Sequence, residues 1–425
     1  MKETGKILQA RDRLPRITLK RRAEIREKAQ HPWIFSNEVA DPKLLGRQEV
    51  GGLVEVIDCH GDYLGTGFCH PKSLIAVRIL SRTRRDHIDA DFFSRKIEAS
   101  LALRESIYGE KSAARSTYRA VFGESDGLPG FVLDRFNDVW VMQFHSAGLW
   151  KRKEEILAGL VSLVTKNEGA KAIRCVVGRT DVQSASLEGM EDAALVLHGE
   201  IPSEGVFAEE AGVRFPVDPV AGQKTGFYFD QRENRAAFAR LVSARALAGE
   251  DVHVADLYCH LGAWGFAALS AGAKHVTFLD SSERALGAVK KILRKMDWED
   301  RATVICGDAK EEIRKLKADS AKSFDLVSLD PPSFIPNRKS APQGLKAYGS
   351  MNSLAGELVK PGGILATSSC SHNCLEERFE AITAEALRKI GRDPRLVLRG
   401  WPAYDHPARP GMPESNYLKC LFYAI

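Results

Sequence analysis

Two short stretches of this chain combine residue types suited to covalent chemistry on a flat ring. One is Asp330-Pro331-Pro332-Ser333-Phe334, a carboxylate set directly before two prolines. The other is Ser368-Ser369-Cys370-Ser371-His372, a thiol among hydroxyls. Proline fixes its own φ and biases the preceding residue toward extended backbone, so Asp330 is predicted to stand stiffly at a strand end. Such a loop can offer a carboxylate and a carbonyl to a heteroaromatic base while Phe334 stacks on it. A plain Pro-rich turn is the simpler alternative. Cys370 is one of eight cysteines, and most buried cysteines are packing groups. What distinguishes it is its predicted place at a strand tip on the same edge as Asp330, which makes it a candidate nucleophile. At an ordinary pKa, only about 3% of a thiol is ionised at neutral pH, so some lowering is expected. A helix beginning near Cys374 would bring its N-terminal dipole to that task. Cys370, His372 and Cys374 are close enough to raise zinc, but no second Cys or His pair completes a tetrahedral site, so no metal is expected.

The elements that must hold these residues lie in the last 190 or so positions, where strands and helices alternate. Apolar strands are predicted at 252–257, 275–279, 303–305, 326–329 and 363–367, with helices at 282–296 and 309–316. Strands at 395–400 and 417–423 would close the chain as a hairpin, with the last strand antiparallel. This is the α/β pattern of a parallel sheet covered on both faces. Ligands bind such sheets at the carboxyl ends of the strands. The first three strands end in Asp256, Asp280 and Asp308. An acid after the second strand can accept from both ribose hydroxyls of a nucleoside cofactor, and Asp308 is placed for the amino group of its adenine. Asp256, with Tyr258 and the Gly262–Gly265 turn after it, would face the aminoacyl end. The turn is G-x-x-G, not the G-x-G-x-x-G that marks a dinucleotide site. For any one of these aspartates, helix capping is an equally good account.

Residues 15–95 alternate short apolar runs with turn signals, at 17–19, 53–57, 63–68 and 75–80, in the manner of a small β-barrel. Residues 97–215 read as α+β, with helices at 92–108 and 151–165, and Asn137-Asp138 as a hairpin turn. The net charge of +5 is uneven. Residues 1–30 hold ten Lys or Arg against four Asp or Glu, which suits a polyanion partner. No apolar signal segment and no run of about 18 apolar residues occurs, so neither secretion nor a membrane partner is expected. Cysteines without disulfide-scaffold spacing point to a reducing cytoplasm.

In combination these motifs resemble the bacterial 23S ribosomal RNA cytosine-C5 methyltransferases that carry an N-terminal PUA domain. The resemblance runs through Lys20–Arg22 into His31-Pro32-Trp33-Ile34-Phe35-Ser36-Asn37-Glu38, and through Gly123-Glu124-Ser125-Asp126-Gly127-Leu128-Pro129-Gly130. It continues in Lys224-Thr225-Gly226-Phe227-Tyr228-Phe229-Asp230-Gln231-Arg232-Glu233-Asn234-Arg235, Asp330–Phe334 and Ser369–His372. It implies a PUA-like RNA-binding unit at 15–95, a central α+β unit at 97–215, and at 216–425 a Rossmann-like class I methyltransferase domain with a seven-stranded sheet. The implied cofactor is S-adenosylmethionine, met at its methionine carboxylate by Gln231 and Arg232, with Tyr258, Gly262 and the three aspartates along the rest. Asp330 would lie between cofactor and target base, Cys370 would be the nucleophile, and Lys20, Arg21, Arg22, Arg26 and Phe334 would contact ribosomal RNA. A homodimer is compatible with this picture. Ser333 stands where many RNA cytosine-C5 enzymes carry a second thiol, so the base that removes the carbon-5 proton is unassigned. An exocyclic-amino methyltransferase, a uracil-C5 enzyme and a non-catalytic RNA-binding assembly factor are the alternatives.

Overall fold

Apolar strands after residue 250 stack into one sheet because each is bounded by a helix that must cover it. The computed structural model describes residues 14–21, 30–109, 116–222, 225–319 and 323–425. Arg22, Arg26 and Lys224 fall outside the described residues. Among these residues, five strands form an N-terminal sheet: β1 (Arg16–Thr18), β2 (Trp33–Phe35), β3 (Gly52–Ile57), β4 (Tyr63–Cys69) and β5 (Ile75–Ser81), in the order β1-β3-β4-β5-β2. Four lie within a residue or two of the expected positions. The sequence reading missed β2, three residues long within the His31–Glu38 motif.

The central sheet has the order β10-β9-β8-β7-β6, from β6 (Thr117–Phe122), β7 (Phe131–Phe136), β8 (Val139–Phe144), β9 (Cys175–Arg179) and β10 (Ala194–Gly199). Helices Ala90–Tyr108 and Lys153–Glu168 pack together beside it. Asn137 and Asp138 make the predicted turn, with Asn137 in the left-handed region at φ 58°. A separate hairpin, β11 (Val206–Glu210) with β12 (Val213–Val217), leads to the last unit.

There, seven described strands form one sheet: β13 (His253–Leu257), β14 (His275–Asp280), β15 (Ala302–Cys306), β16 (Phe324–Leu329), β17 (Val359–Ser369), β18 (Arg395–Gly400) and β19 (Lys419–Ala424). The order is β15-β14-β13-β16-β17-β19-β18, with β19 antiparallel to both neighbours. Strand order reverses between β13 and β16, the place where such sheets open a ligand crevice. Side chains alternate across it: Val254, Cys420 and Phe422 join one apolar cluster, while Ala255, Leu257, Leu421 and Tyr423 join the other. Between β18 and β19 the chain leaves the sheet for residues 401–418, a strap that reaches the other two units. Arg409 donates to the carbonyls of Glu124 (3.1 Å) and Gln30 (3.4 Å). Among the described residues no helix is long and apolar enough to cross a membrane.

Candidate active site

The four central strands deliver their chemistry to one edge. Asp256, the last residue but one of β13, lies beside Ser328 of β16, and Leu329 of β16 pairs with Thr367 of β17. Asp330 therefore emerges next to Ser368, and Cys370 two residues further along the same rim. The two loops are bolted together by hydroxyls. Ser371 Oγ shares hydrogen bonds with Ser333 Oγ (2.8 Å) and Tyr348 Oη (2.8 Å), and accepts from the Ile335 amide (3.3 Å). Tyr348, from the helix Ala341–Leu358, also accepts from Ser369 Oγ (2.9 Å) and from the Phe334 amide (3.4 Å). Phe334 is half-buried with its ring 4.8 Å from that of Tyr348. Cys370 is half-exposed and in no disulfide.

Asp330 accepts from the Trp264 indole (3.3 Å). Burial first, and then the charge of Asp230, push its carboxyl up to about 6, against the pull of Trp264, Arg235 and Gln231. Asp230 belongs to the short turn Phe229–Gln231, accepts from Tyr417 Oη at 2.5 Å, and ties down the strap by accepting from the Ala403 amide (2.8 Å). Gln231 accepts from Asn234 Nδ2 (2.7 Å) and turns its own amide toward Asp330 without a direct bond of normal geometry. Tyr228 feels the charges of both Asp230 and Asp330 as well as Cys370.

The loop after β13 is wound tightly. Tyr258, His260 and Gly262 all have positive φ, at 61°, 48° and 79°. Non-glycine residues hold such angles only where surroundings over-determine them, and here they do. Cys259 N donates to Leu279 O (3.0 Å), His260 N to Asp280 Oδ2 (2.8 Å) and Gly262 N to Cys259 O (2.7 Å). Asp256 Oδ2 accepts from Gly265 N (2.8 Å) and Oδ1 from Ser328 Oγ (2.9 Å). A Cβ on Gly265 would stand 2.2 Å from the Phe278 ring, so only glycine lets the helix Ala263–Ser270 lie this close to β14.

Placement of the predicted residues is uneven. Asp280, Tyr258 and Asp308 do converge: Asp280 keeps spare lone pairs after bonding His260 N and Ser282 N (2.8 Å), and Tyr258 feels the charges of Asp308 and Asp280. Asp308 is exposed and also caps the helix Ala309–Ala318 through Glu311 N (3.1 Å). Asp256 departs from the expected ligand-facing place. It has no exposed surface and both its oxygens hold the loop, so it shapes the site from beneath; burial raises its carboxyl to about 7. Arg232 departs too. Its guanidinium is buried, donates to Thr117 O, and lies 3.7 Å from both Glu210 and Asp405, so it braces the central unit. Lys20 is exposed with Nζ on the Asn37 carbonyl (2.9 Å), and Arg21 is exposed beside it. The helix after Cys374 begins at Glu376, and its first turn already carries Glu376 and Glu377 against the dipole. Sequence reasoning missed Trp264, Tyr348, Asp230, Tyr417 and Lys419 as parts of the site. Of these only Lys419 left a signal, a lysine within a predicted apolar strand.

Residues 17–82 match the family model of the PUA-like domain, and residues 232–392 match that of conserved hypothetical protein 95. The ribosomal RNA large subunit methyltransferase I of Shewanella frigidimarina is 36% identical over 408 residues, covering 96% of this chain and 98% of that protein. The protein of the same name from Pseudoalteromonas atlantica is 36% identical over 412 residues, covering 96% and 99%. A SAM-dependent methyltransferase from Streptococcus mutans superposes with a TM-score of 0.79 at 16% identity, over 97% of this chain and all of that one. A methyltransferase solved in complex with SAH gives 0.81 at 17% identity, with 97% and 100% covered. At such identities the structural likeness shows the fold.

Proposed function

Since the chain belongs to the ribosomal RNA large subunit methyltransferase I family, we propose that it methylates carbon 5 of a cytosine in large-subunit ribosomal RNA, with Cys370 as covalent nucleophile. One observation carries the choice of carbon 5. A half-exposed cysteine and a carboxylate stand on adjacent strand tips, locked to each other through Ser371, Ser333 and Tyr348. Methylation of an exocyclic amine would require only a loop such as Asp330-Pro331-Pro332-Ser333-Phe334, with no part for Cys370.

S-adenosylmethionine, when bound, supplies an electrophilic methyl group. The donor set after β13, β14 and β15 fits it: Asp280 with spare lone pairs for a ribose diol, Tyr258 and Asp308 beside it, and a tightly wound loop at positive φ. Carbon 5 of cytosine is too weak a nucleophile to take that methyl unaided. Addition of the Cys370 thiolate to carbon 6 makes carbon 5 enamine-like. Asp330, near 6 in pKa, can give a proton to ring nitrogen 3 as charge builds there, and accept from the exocyclic amine with its other oxygen. Carbon 5 takes the methyl, its proton passes to solvent, Cys370 departs as a thiolate as the ring double bond re-forms, and the nitrogen 3 proton returns to Asp330. The target must leave its stack for ring and methyl to meet in one crevice. Lys20 and Arg21 on the N-terminal unit, with Arg22 and Arg26, are the proposed phosphate contacts.

Cys370→Ala should lose methyl transfer while calorimetric binding of S-adenosylmethionine persists. Retained methylation in that variant would refute the covalent route. RNA containing 5-fluorocytosine should trap a covalent adduct with the native enzyme, which an amino methyltransferase would not form. Nucleoside analysis of the product separates cytosine from uracil.

A further inference from the structure

Lys419 is out of character with its strand. β19 is otherwise apolar or aromatic, and Lys419 is only 4% exposed. An ammonium held away from water is costly unless its charge is compensated inside the protein. Its Nζ donates to the carbonyls of Ser371 (2.7 Å) and Tyr417 (2.7 Å). Carbonyl oxygens solvate the charge without neutralising it. Among the described residues no carboxylate pairs with it at contact distance; burial lowers its pKa, against the through-space pull of Cys374, Cys370 and Glu376.

Its position relative to Cys370 is fixed from both sides. The β17–β19 register sets Lys419 opposite Ser369, the residue before Cys370. Its hydrogen bond to Ser371 O grips the residue after. Tyr228, Tyr417 and Tyr348 each lie within electrostatic reach of Cys370, and Asp330 and Asp230 act on Tyr228 in turn. His372 follows two residues on with its ring 5.2 Å from that of Tyr417. A thiolate formed beside Asp330, Asp230 and these tyrosines is favoured by a nearby cation, and the Lys419 ammonium acts on Cys370 through space.

We propose that the Lys419 ammonium is a counter-charge that favours the Cys370 thiolate, a positioning residue acting from behind the nucleophile's turn. The proposal rests on reading Cys370 as the nucleophile. Cys374 is the competing thiol, and Arg378 of the following helix also faces it. Cys374, however, is 2% exposed, donates its S–H to Leu375 O, and is pushed upward by burial, so it stays a thiol at neutral pH. The half-exposed Cys370 is left to ionise.

The test is the pH profile of iodoacetamide alkylation in the full-length protein, with the Cys370 peptide quantified by mass spectrometry apart from the other seven cysteines. In the native chain the Cys370 midpoint should fall below the ordinary thiol value of about 8.5. Lys419→Met should move it up by about one pH unit, slowing alkylation at neutral pH roughly tenfold. Lys419→Arg, which keeps the charge, should restore most of the rate. An unchanged profile in folded Lys419→Met overturns the proposal. So does a native midpoint at or above the ordinary value, which decides the matter if Lys419→Met does not fold. The two readings fail separately. Methylation lost in Cys370→Ala with an ordinary native midpoint sinks only the role of Lys419, and methylation retained with a low midpoint sinks only the nucleophile.

Discussion

Buried carboxylates occur in two regions of this molecule, and burial has opposite outcomes in them. In the first, the central unit meets the strap and the segment after β12. There Arg104 donates to both oxygens of Asp126 (2.6 and 2.8 Å) and to the Asp405 carbonyl (2.7 Å). Arg119 donates to both oxygens of Asp134 (2.8 Å each), and its amide donates to Asp405 (3.0 Å). Arg235 holds Glu210 in the same two-pronged way at 2.5 and 2.7 Å. Burial would raise the Asp405 carboxyl, yet His406, Arg232 and the Arg119 amide hold it down to about 2. In the second region, the catalytic edge, Asp256 and Asp330 are matched by an amide, a hydroxyl and an indole. Their carboxyls rise to about 7 and about 6. Cation supply, not depth, decides which carboxyl serves as a clamp and which stays ready to exchange a proton.

Removing a cation from the clamp should produce the largest change in stability. Arg119→Met leaves Asp134 fully buried beside only the Thr225 hydroxyl. The expected cost is about 3–5 kcal/mol, read from urea unfolding. Pairing it with Asp134→Leu should recover most of the loss, because an apolar pair needs no compensation. If the double variant is no better than the single, the bidentate pair is not what holds this interface.

The edge should answer to pH with the opposite sign. The folded-state value for Asp256, about 7, lies above the ordinary 3.8. The folded protein therefore binds this proton more tightly than the unfolded chain. Its contribution is fully present below the ordinary carboxylate value and is lost as pH rises through about 7. For the native chain, the loss between pH 4 and 8 is up to about 4 kcal/mol from this group. Asp256→Asn keeps an acceptor for Gly265 N and cannot ionise, so its stability should decline less across that interval. Equal slopes for the two proteins would remove Asp256 from the account. Asp405 behaves the other way: its contribution is present above the ordinary value and is lost only as pH falls through about 2.

The same contrast explains what could be read from the sequence. Strand tips were legible because apolar runs end sharply at Asp256, Asp280, Asp308 and Asp330, and because the two prolines stiffen the last. Which way a carboxylate turns was not legible. Asp256 points into the protein because the left-handed turns at Tyr258 and His260 carry Gly265 N over it, a geometry that no residue type announces. Clamp partners were hidden by separation along the chain, 15 positions for Arg119 with Asp134 and 286 for Arg119 with Asp405. Arg232 was therefore read as a ligand for an anion, whereas the fold brings it anions of its own. β6 escaped notice because Thr117, Tyr118 and Arg119 make its first half look polar, and the partners that let Thr117 and Arg119 be buried, Glu209 and Asp134, lie far away along the chain.

A third kind of buried polar group joins the two catalytic loops without any charge, and it should give the smallest and flattest response. Tyr348 Oη is the hub of the bracket, bonded to Ser369, Ser371 and the Phe334 amide. Tyr348→Phe removes it with little change in volume and leaves two buried serine hydroxyls short of a partner. The cost should be about 1–2 kcal/mol, near the price of one buried polar group left unmatched. It should also be the same at mildly acid and mildly alkaline pH, since serine does not ionise there and burial pushes the Tyr348 phenol further up from its ordinary value. A pH-dependent loss in Tyr348→Phe would mean that the bracket tunes Asp330 or Cys370 electrically as well as holding them. The edge would then depend on its hydroxyls for charge as the clamp depends on its arginines.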